Sequence, residues 1–231
     1  MSELAFVAGA TGYTGRAVVA ALRRAGVETL AHVRPDSSAL ARWQAEFGAL
    51  GATVDTTPWS VEALTRTFER TRPMSIFALL GTTRRRGAQD GGTYATVDYG
   101  LTAMLLAAAK AAGIAPRFVY LSSMGVGPGG RRDSYLEVRW RFEQELIASG
   151  VPYVIARPSF ITGPDRDESR PMERVGARVG DAVLGLAGAL GGRGLRDKYA
   201  STTAEILGGA LVRLARSPAA ANTIAEGSDL R

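Results

Sequence analysis

The chain has 231 residues, with 28 basic against 22 acidic side chains, a net charge of +6, no cysteine and one histidine, His32. That length suits one α/β domain or a domain with a small appendage, and it buries about 70–75% of the unfolded surface, so the core needs no staple. Without cysteine there are no disulfides, thiolate metal sites or cysteine nucleophile; one histidine argues against a histidine zinc site and leaves a Ser-His-Asp triad a single base.

Only Lys110 and Lys198 are lysines, which leaves 26 arginines among the 28 basic residues. The longest basic run, Arg84–Arg86, falls in a loop, and no stripe or recognised module accompanies it, so nucleic acid is not expected as the main partner. Lys110 interrupts the apolar stretch Leu101–Ile114 and Asp181 interrupts a later one, so no membrane span is expected. Met1-Ser2-Glu3 leads into an apolar strand pattern with no basic leader segment, which points to a cytoplasmic protein.

Strand and helix patterns alternate along the chain. Leu4–Ala8 reads as a buried strand that stops at Gly9, and Ala17–Leu22 carries a helix that closes before Gly26 with Arg23 and Arg24 in its last turn. Glu28–Val33 is the second strand, Ser37–Phe47 the second helix and Ala52–Val54 the third strand. Ser60 suits an N-cap for a helix over Val61–Arg70, and Ser75–Leu80 is the fourth strand. A loop rich in glycine and arginine, Thr82–Gly92, precedes a long helix over Tyr94–Ala112, ended by Gly113. Arg117–Leu121 is strand five, Gly125–Gly130 a loop, Ser134–Ser149 a helix closed by Gly150, and Pro152–Ala156 strand six. Beyond Pro158 the regularity fades, although Val175–Leu190 keeps a helical spacing, Thr202–Arg216 reads as a helix and Thr223–Glu226 as a late strand. Six near-continuous apolar strands alternating with helices predict an α/β fold, a doubly wound parallel sheet covered on both faces. With no repeat and no low-complexity linker, residues 1–231 are expected to form a single domain whose part from about residue 158 supplies a small C-terminal substrate side.

Strand one runs into Gly9-Ala10-Thr11-Gly12-Tyr13-Thr14-Gly15 and then a helix. Small residues there let the backbone approach a pyrophosphate, and the helix start offers free N–H groups and a positive dipole end, so the segment predicts dinucleotide binding in a Rossmann fold. Strand two ends Ala31-His32-Val33-Arg34-Pro35 rather than with an acid. Arg34 is placed to pair with a 2′-phosphate, which favours NADP(H) over NAD(H), although Asp36 could turn inward and accept a ribose hydroxyl. His32 reads as a strand residue rather than a ligand or base. Gly81-Thr82-Thr83 at the end of strand four should line the nicotinamide half of the cleft. Arg84–Arg86 and Asp165–Arg170 read as solvated or internally paired charges before they read as a substrate mouth.

By these residues the chain resembles the short-chain dehydrogenase/reductase superfamily in its extended and atypical branches. The G-x-x-G-x-x-G spacing of Gly9–Gly15 matches, as do Val97-Asp98-Tyr99-Gly100-Leu101-Thr102, Leu121–Val126 with Ser122 and Ser123, and Arg157–Pro164. Leu80-Gly81-Thr82-Thr83-Arg84, Tyr135-Leu136-Glu137-Val138 and Asp165–Pro171 look most like the Tat-interacting-protein oxidoreductase branch.

The resemblance spans about residues 4–171 and implies NADPH binding, a small carbonyl or alcohol substrate and an option of a homodimer. It implies Tyr135 as acid/base, Ser123 as the carbonyl orienter with Ser122 as the fallback, and residue 139, on the same helix face, as the group that aids the tyrosine and holds the ribose. That residue is Arg139 where the family has lysine, and arginine cannot join a proton relay. The cofactor set it implies is Gly9, Thr11, Gly12, Tyr13, Thr14, Gly15, Arg34, Leu80, Gly81, Thr82, Thr83, Tyr135, Arg139 and Pro158, with no metal. Two other readings stand beside a reductase: a non-catalytic NADPH sensor that regulates a partner, and a sugar-nucleotide epimerase or dehydratase, against which the short C-terminal region argues.

Overall fold

A computed structural model describes residues 3–81, 92–159, 161–162 and 202–231. Seven parallel strands form one sheet: β1 (Leu4–Ala8), β2 (Glu28–His32), β3 (Thr53–Asp55), β4 (Ser75–Ala78), β5 (Arg117–Leu121), β6 (Tyr153–Arg157) and β9 (Thr223–Glu226), in the order β3-β2-β1-β4-β5-β6-β9. The late strand is the seventh and pairs with β6, Ile155 against Ile224. Two short strands, β7 (Ile161–Thr162) and β8 (Thr202–Thr203), form a separate parallel pair.

Alternate residues of the central strands build two cores. Ala5, Val7, Phe77, Val119, Val154 and Ala156 face one side and pack with Val18, Val19 and Leu22 of α1 (Tyr13–Arg24), Phe47 of α2 (Leu40–Ala49), and Leu207 and Leu211 of a helix over Ala204–Arg216. Phe6, Ala8, Ile76, Phe118, Tyr120 and Ile155 face the other side. There they meet α3 (Val61–Thr71), α4 (Thr102–Ala111) and α5 (Tyr135–Ala148) through Phe68, Leu105 and Phe142. The remaining helix, Ala204–Arg216, is α6. Each buried Phe or Leu contributes about 1.5–3 kcal/mol of transfer free energy. The doubly wound prediction therefore holds, with the strand order reversing on either side of β1 and leaving a crevice beyond the C-terminal ends of β1 and β4.

Some bounds differ from expectation. The helix expected over Tyr94–Ala112 is two pieces, a π-helix at Tyr94–Leu101 and α4. Thr93 and Thr96 cap the π-helix reciprocally. Its wider turn lets the neighbours Asp98 and Tyr99 both reach α5, Asp98 to Arg139 and Tyr99 to Glu145. The second helix starts at Leu40 rather than Ser37, because turns at Ser37 and Leu40 close first. Strand four ends at Ala78, although Leu79 still donates to the Ala8 carbonyl.

Candidate functional site: a glycine loop and a tyrosine beside a buried ion pair

The glycines of the first turn do different work. Gly9 has φ +80°, and a Cβ there would lie 2.6 Å from the Leu79 carbonyl oxygen. A Cβ on Gly15 would lie 2.0 Å from the Gly9 oxygen, so Gly15 lets the helix start pack on the loop itself. Gly12 is extended (φ −73°, ψ 166°), and its Cβ would meet only the Gly9 oxygen, at 3.2 Å. Gly12 is also the N-cap of α1, with no side-chain cap and no acid in the first turn. The uncapped N–H groups and the open cradle at Gly12 fit a pyrophosphate. Thr14 and Gly15 are buried and Thr11 is half-buried. The Tyr13 hydroxyl donates to the Thr162 carbonyl at 3.2 Å, tying the loop to β7.

Beyond β2, the Arg34 side chain is 57% exposed and only loosely paired with Asp36, at 3.9 Å, a contact too weak to hold it. His32 is buried, its Nε2 lies 2.8 Å from the Thr57 carbonyl, and its ring packs on Trp59 and Phe6. Burial lowers its pKa, against the opposing pull of the Thr57 carbonyl and Asp55. His32 is thus a satisfied strand residue, as its sequence context suggested.

Tyr135 opens α5, whose N-cap Ser134 accepts from the Glu137 N–H. Its ring is half-buried and stands edge-on to Tyr94 at 5.4 Å. Among the described residues its contacts are those of its ring, and its hydroxyl has no hydrogen-bond partner. The Arg139 guanidinium carbon lies 4.6 Å from the Tyr135 ring centroid. Ser123 is half-buried and, among the described residues, donates to the next carbonyl, Met124, at 3.3 Å. The fallback Ser122 is buried, and its hydroxyl donates to Glu143 at 2.5 Å.

Arg139 is buried. Its Nη2 lies 2.8 Å from Asp98 Oδ1, both side chains being 5% exposed or less. Its Nη1 donates to the Leu121 carbonyl and its Nη2 also to Leu80, at 3.4 Å. The arginine expected to hold a ribose is therefore engaged with the protein's own groups, between the ends of β4 and β5. Gly81 completes the fit, since a Cβ there would lie 3.2 Å from Arg139 Nη2 and 3.6 Å from Asp98 Oδ1. Leu80 is half-buried, Gly81 exposed and Pro158 buried, with its carbonyl taking the Met124 N–H. Thr82, Thr83, Arg84–Arg86, Asp165–Arg170 and Val175–Leu190 lie outside the described residues.

A second buried pair escaped the sequence reading. Glu143, fully buried, takes Arg157 Nη2 at 2.5 Å and Nε at 3.0 Å, while Arg157 Nη1 reaches Glu226 at 3.3 Å. The Glu143 hydrogen bonds raise the Arg157 pKa against the opposing effect of burial, and the cluster ties the ends of β5, β6 and β9. Its signal was a glutamate beside the apolar positions Val138, Phe142 and Leu146 of the same helix. Among the described residues no group of acids and histidine is arranged to hold a metal, and no helix is long and apolar enough to cross a membrane.

A doubly wound sheet with a glycine cradle at the start of α1 defines a nucleotide-binding Rossmann protein. The chain belongs to the NAD(P)H-binding family, whose model matches residues 9–183. A nicotinamide dinucleotide is thus its cofactor class. No curated protein matches. Among solved structures, an NAD-dependent epimerase/dehydratase of Bacillus halodurans has a TM-score of 0.67 at 18% identity, covering 96% of this chain and 92% of that one. An isoflavone reductase gives 0.65 at 17%, covering 97% and 69%. A UDP-N-acetylglucosamine 4-epimerase of Bacillus cereus gives 0.64 at 15%, covering 96% and 78%. Likeness at these identities concerns the fold.

Proposed function

We propose that this protein is an NADP(H)-dependent oxidoreductase of the atypical short-chain type that reduces a small carbonyl compound. The reading rests on Tyr135, a half-buried phenol whose hydroxyl has no partner among the described residues and whose ring lies against the Arg139 guanidinium. When bound, the dinucleotide supplies the hydride. Gly12 and the uncapped first turn of α1 hold the pyrophosphate, and the exposed Arg34 pairs with the 2′-phosphate. Ser123, whose hydroxyl is less committed than that of Ser122, orients the carbonyl. The Tyr135 hydroxyl gives its proton to the alkoxide oxygen that forms as the carbonyl carbon is reduced.

Tyr135→Phe tests the reading. NADPH-dependent reduction across a panel of small carbonyls should fall about 10²–10⁴-fold, the usual contribution of a positioned acid, while NADPH binding stays. Undiminished turnover in Tyr135→Phe overturns it. The commitment of Arg139 to Asp98 favours a second reading, an NADPH-binding regulator that does no chemistry. Wild type that binds NADPH and oxidises none of it across the panel decides for that second reading.

A further inference from the structure

Tyr13 belongs to two parts of the molecule at once. It is the first residue of α1 after the N-cap Gly12, so its backbone N–H is one of the helix-start donors with no intrahelical acceptor. Its hydroxyl donates to the Thr162 carbonyl at 3.2 Å, 149 positions along the chain.

Thr162 ends β7, which pairs with β8 through Ile161 with Thr202 and Thr162 with Thr203. A ladder of two residue pairs is too short to stand alone and must be held by the body of the fold. Ile161 packs on the core to which α1 contributes. Thr203 is the N-cap of α6, accepting from the Ile206 N–H at 3.3 Å, and Leu207 and Leu211 of α6 share that core with Val18 and Leu22 of α1. The Tyr13 hydroxyl adds a tie that comes from the glycine loop itself.

We propose that Tyr13 is a positioning residue that couples the dinucleotide site to the β7–β8 pair. The first turn of a helix frays, and a phosphate accepting from its free N–H groups holds it. With the Tyr13 backbone held, its phenol is held on Thr162, and the pair is steadied from the cofactor side. The coupling is reciprocal: a formed pair holds Tyr13 ready for the dinucleotide by the same factor. One hydrogen bond between neutral groups limits that factor to about 2–10-fold. The proposal rests on dinucleotide binding at the glycine loop and needs no carbonyl reduction.

The test is amide hydrogen exchange, read residue by residue by NMR in the full-length protein with and without saturating NADPH, for wild type and Tyr13→Phe. The variant removes one oxygen from a half-buried ring and keeps the backbone N–H. In wild type NADPH should slow exchange at residues 9–16 and, by about 2–10-fold, at Ile161, Thr162, Thr202 and Thr203. In Tyr13→Phe the slowing at residues 9–16 should remain and that at the pair should vanish. A bond that only braces the fold would speed exchange at the pair by the same factor with and without NADPH. The slowing by NADPH would then be equal in the two proteins, and that result overturns the proposal. Wild type in which NADPH slows residues 9–16 alone overturns it too. The exchange needs no substrate: a coupled pair in a protein that reduces no carbonyl leaves Tyr13 its role and removes the oxidoreductase reading. Carbonyl turnover with an uncoupled pair does the reverse.

Discussion

Gly12 and Gly15 stand three residues apart in one motif, yet substituting them should have opposite consequences. A Cβ at position 15 is impossible without backbone movement, because it would sit 2.0 Å from the Gly9 carbonyl oxygen and 2.8 Å from both the Cα and the oxygen of Ala10. No flexible side chain can yield there. Gly15→Ala should therefore cost about 3 kcal/mol, the upper part of the usual overpacking range. For a domain of this size that lowers Tm by about 6–12 °C. At Gly12 the backbone is in the extended region open to any L residue, and a Cβ meets one atom at 3.2 Å. Gly12→Val should cost less than about 1 kcal/mol of stability. Its side chain should fill the cradle instead, weakening NADPH binding by about 100-fold or more, which is roughly 2.7 kcal/mol. Thermal unfolding followed by circular dichroism and a fluorescence titration with NADPH give both numbers for both variants. A Gly15→Ala protein that melts within about 2 °C of wild type refutes the packing argument. Undiminished NADPH affinity in folded Gly12→Val refutes the cradle.

Three further outcomes are expected. NADPH at about 100 times its Kd should stabilise wild type by about 2.7 kcal/mol; NADH at the same concentration should stabilise it less, and Arg34→Ala should close the gap, so equal thermal shifts in wild type would sink the NADP(H) preference. Arg157→Met leaves the buried Glu143 carboxylate, among the described residues, with Ser122 alone, and should cost about 3–5 kcal/mol in a denaturant titration, much of it recovered on adding Glu143→Gln; a midpoint within error of wild type contradicts this. Because burial holds the pKa of His32 below its unfolded value of 6.5, the unfolded chain takes up the proton first, and the stability His32 contributes is present above that pH and lost as pH falls through it. His32→Gln keeps a donor for the Thr57 carbonyl and should flatten the decline in Tm between about pH 7 and 5, whereas parallel curves would show that other groups cause it.

The architecture was legible because the central strands are short apolar runs and helices such as α1 and α3 carry an amphipathic stripe. Phe6 and Val7 are both apolar because the sheet is covered on both faces, and that pattern reads directly as a parallel strand. The two-residue strands β7 and β8 carry too little pattern to read, and they exist through pairing of Ile161 with Thr202. The π-helix was illegible for a different reason. Residues 94–112 suit an α-helix throughout, and what accompanies the wider turn is the pairing of Asp98 with Arg139, 41 positions away. The same long-range contact anchors Arg139 between the ends of β4 and β5. The i, i+4 spacing placed it correctly beside Tyr135 and could say nothing of Asp98. Spacing likewise marked three glycines alike, and only the backbone contacts separate the two that shape the turn from the one that leaves room.

The packing of α6 on α1 has a bearing on how the chain acquires this fold during synthesis. A Cβ on Gly208 would lie 3.0–3.1 Å from Ala17, so the two helices touch nearly backbone to backbone, and Arg216 reaches Glu3 at 3.0 Å. Leu207 and Leu211 belong to the same core as Val18 and Leu22. The helix that carries the glycine cradle thus waits for a partner about 190 residues downstream, which a ribosome adding about 5–20 residues per second supplies only after about 10–40 s. Until then the α6-facing side of α1 stays unsheltered. The nascent chain holds its first βαβ unit only loosely over that interval, and it is there that a chaperone or a protease would find its apolar surface.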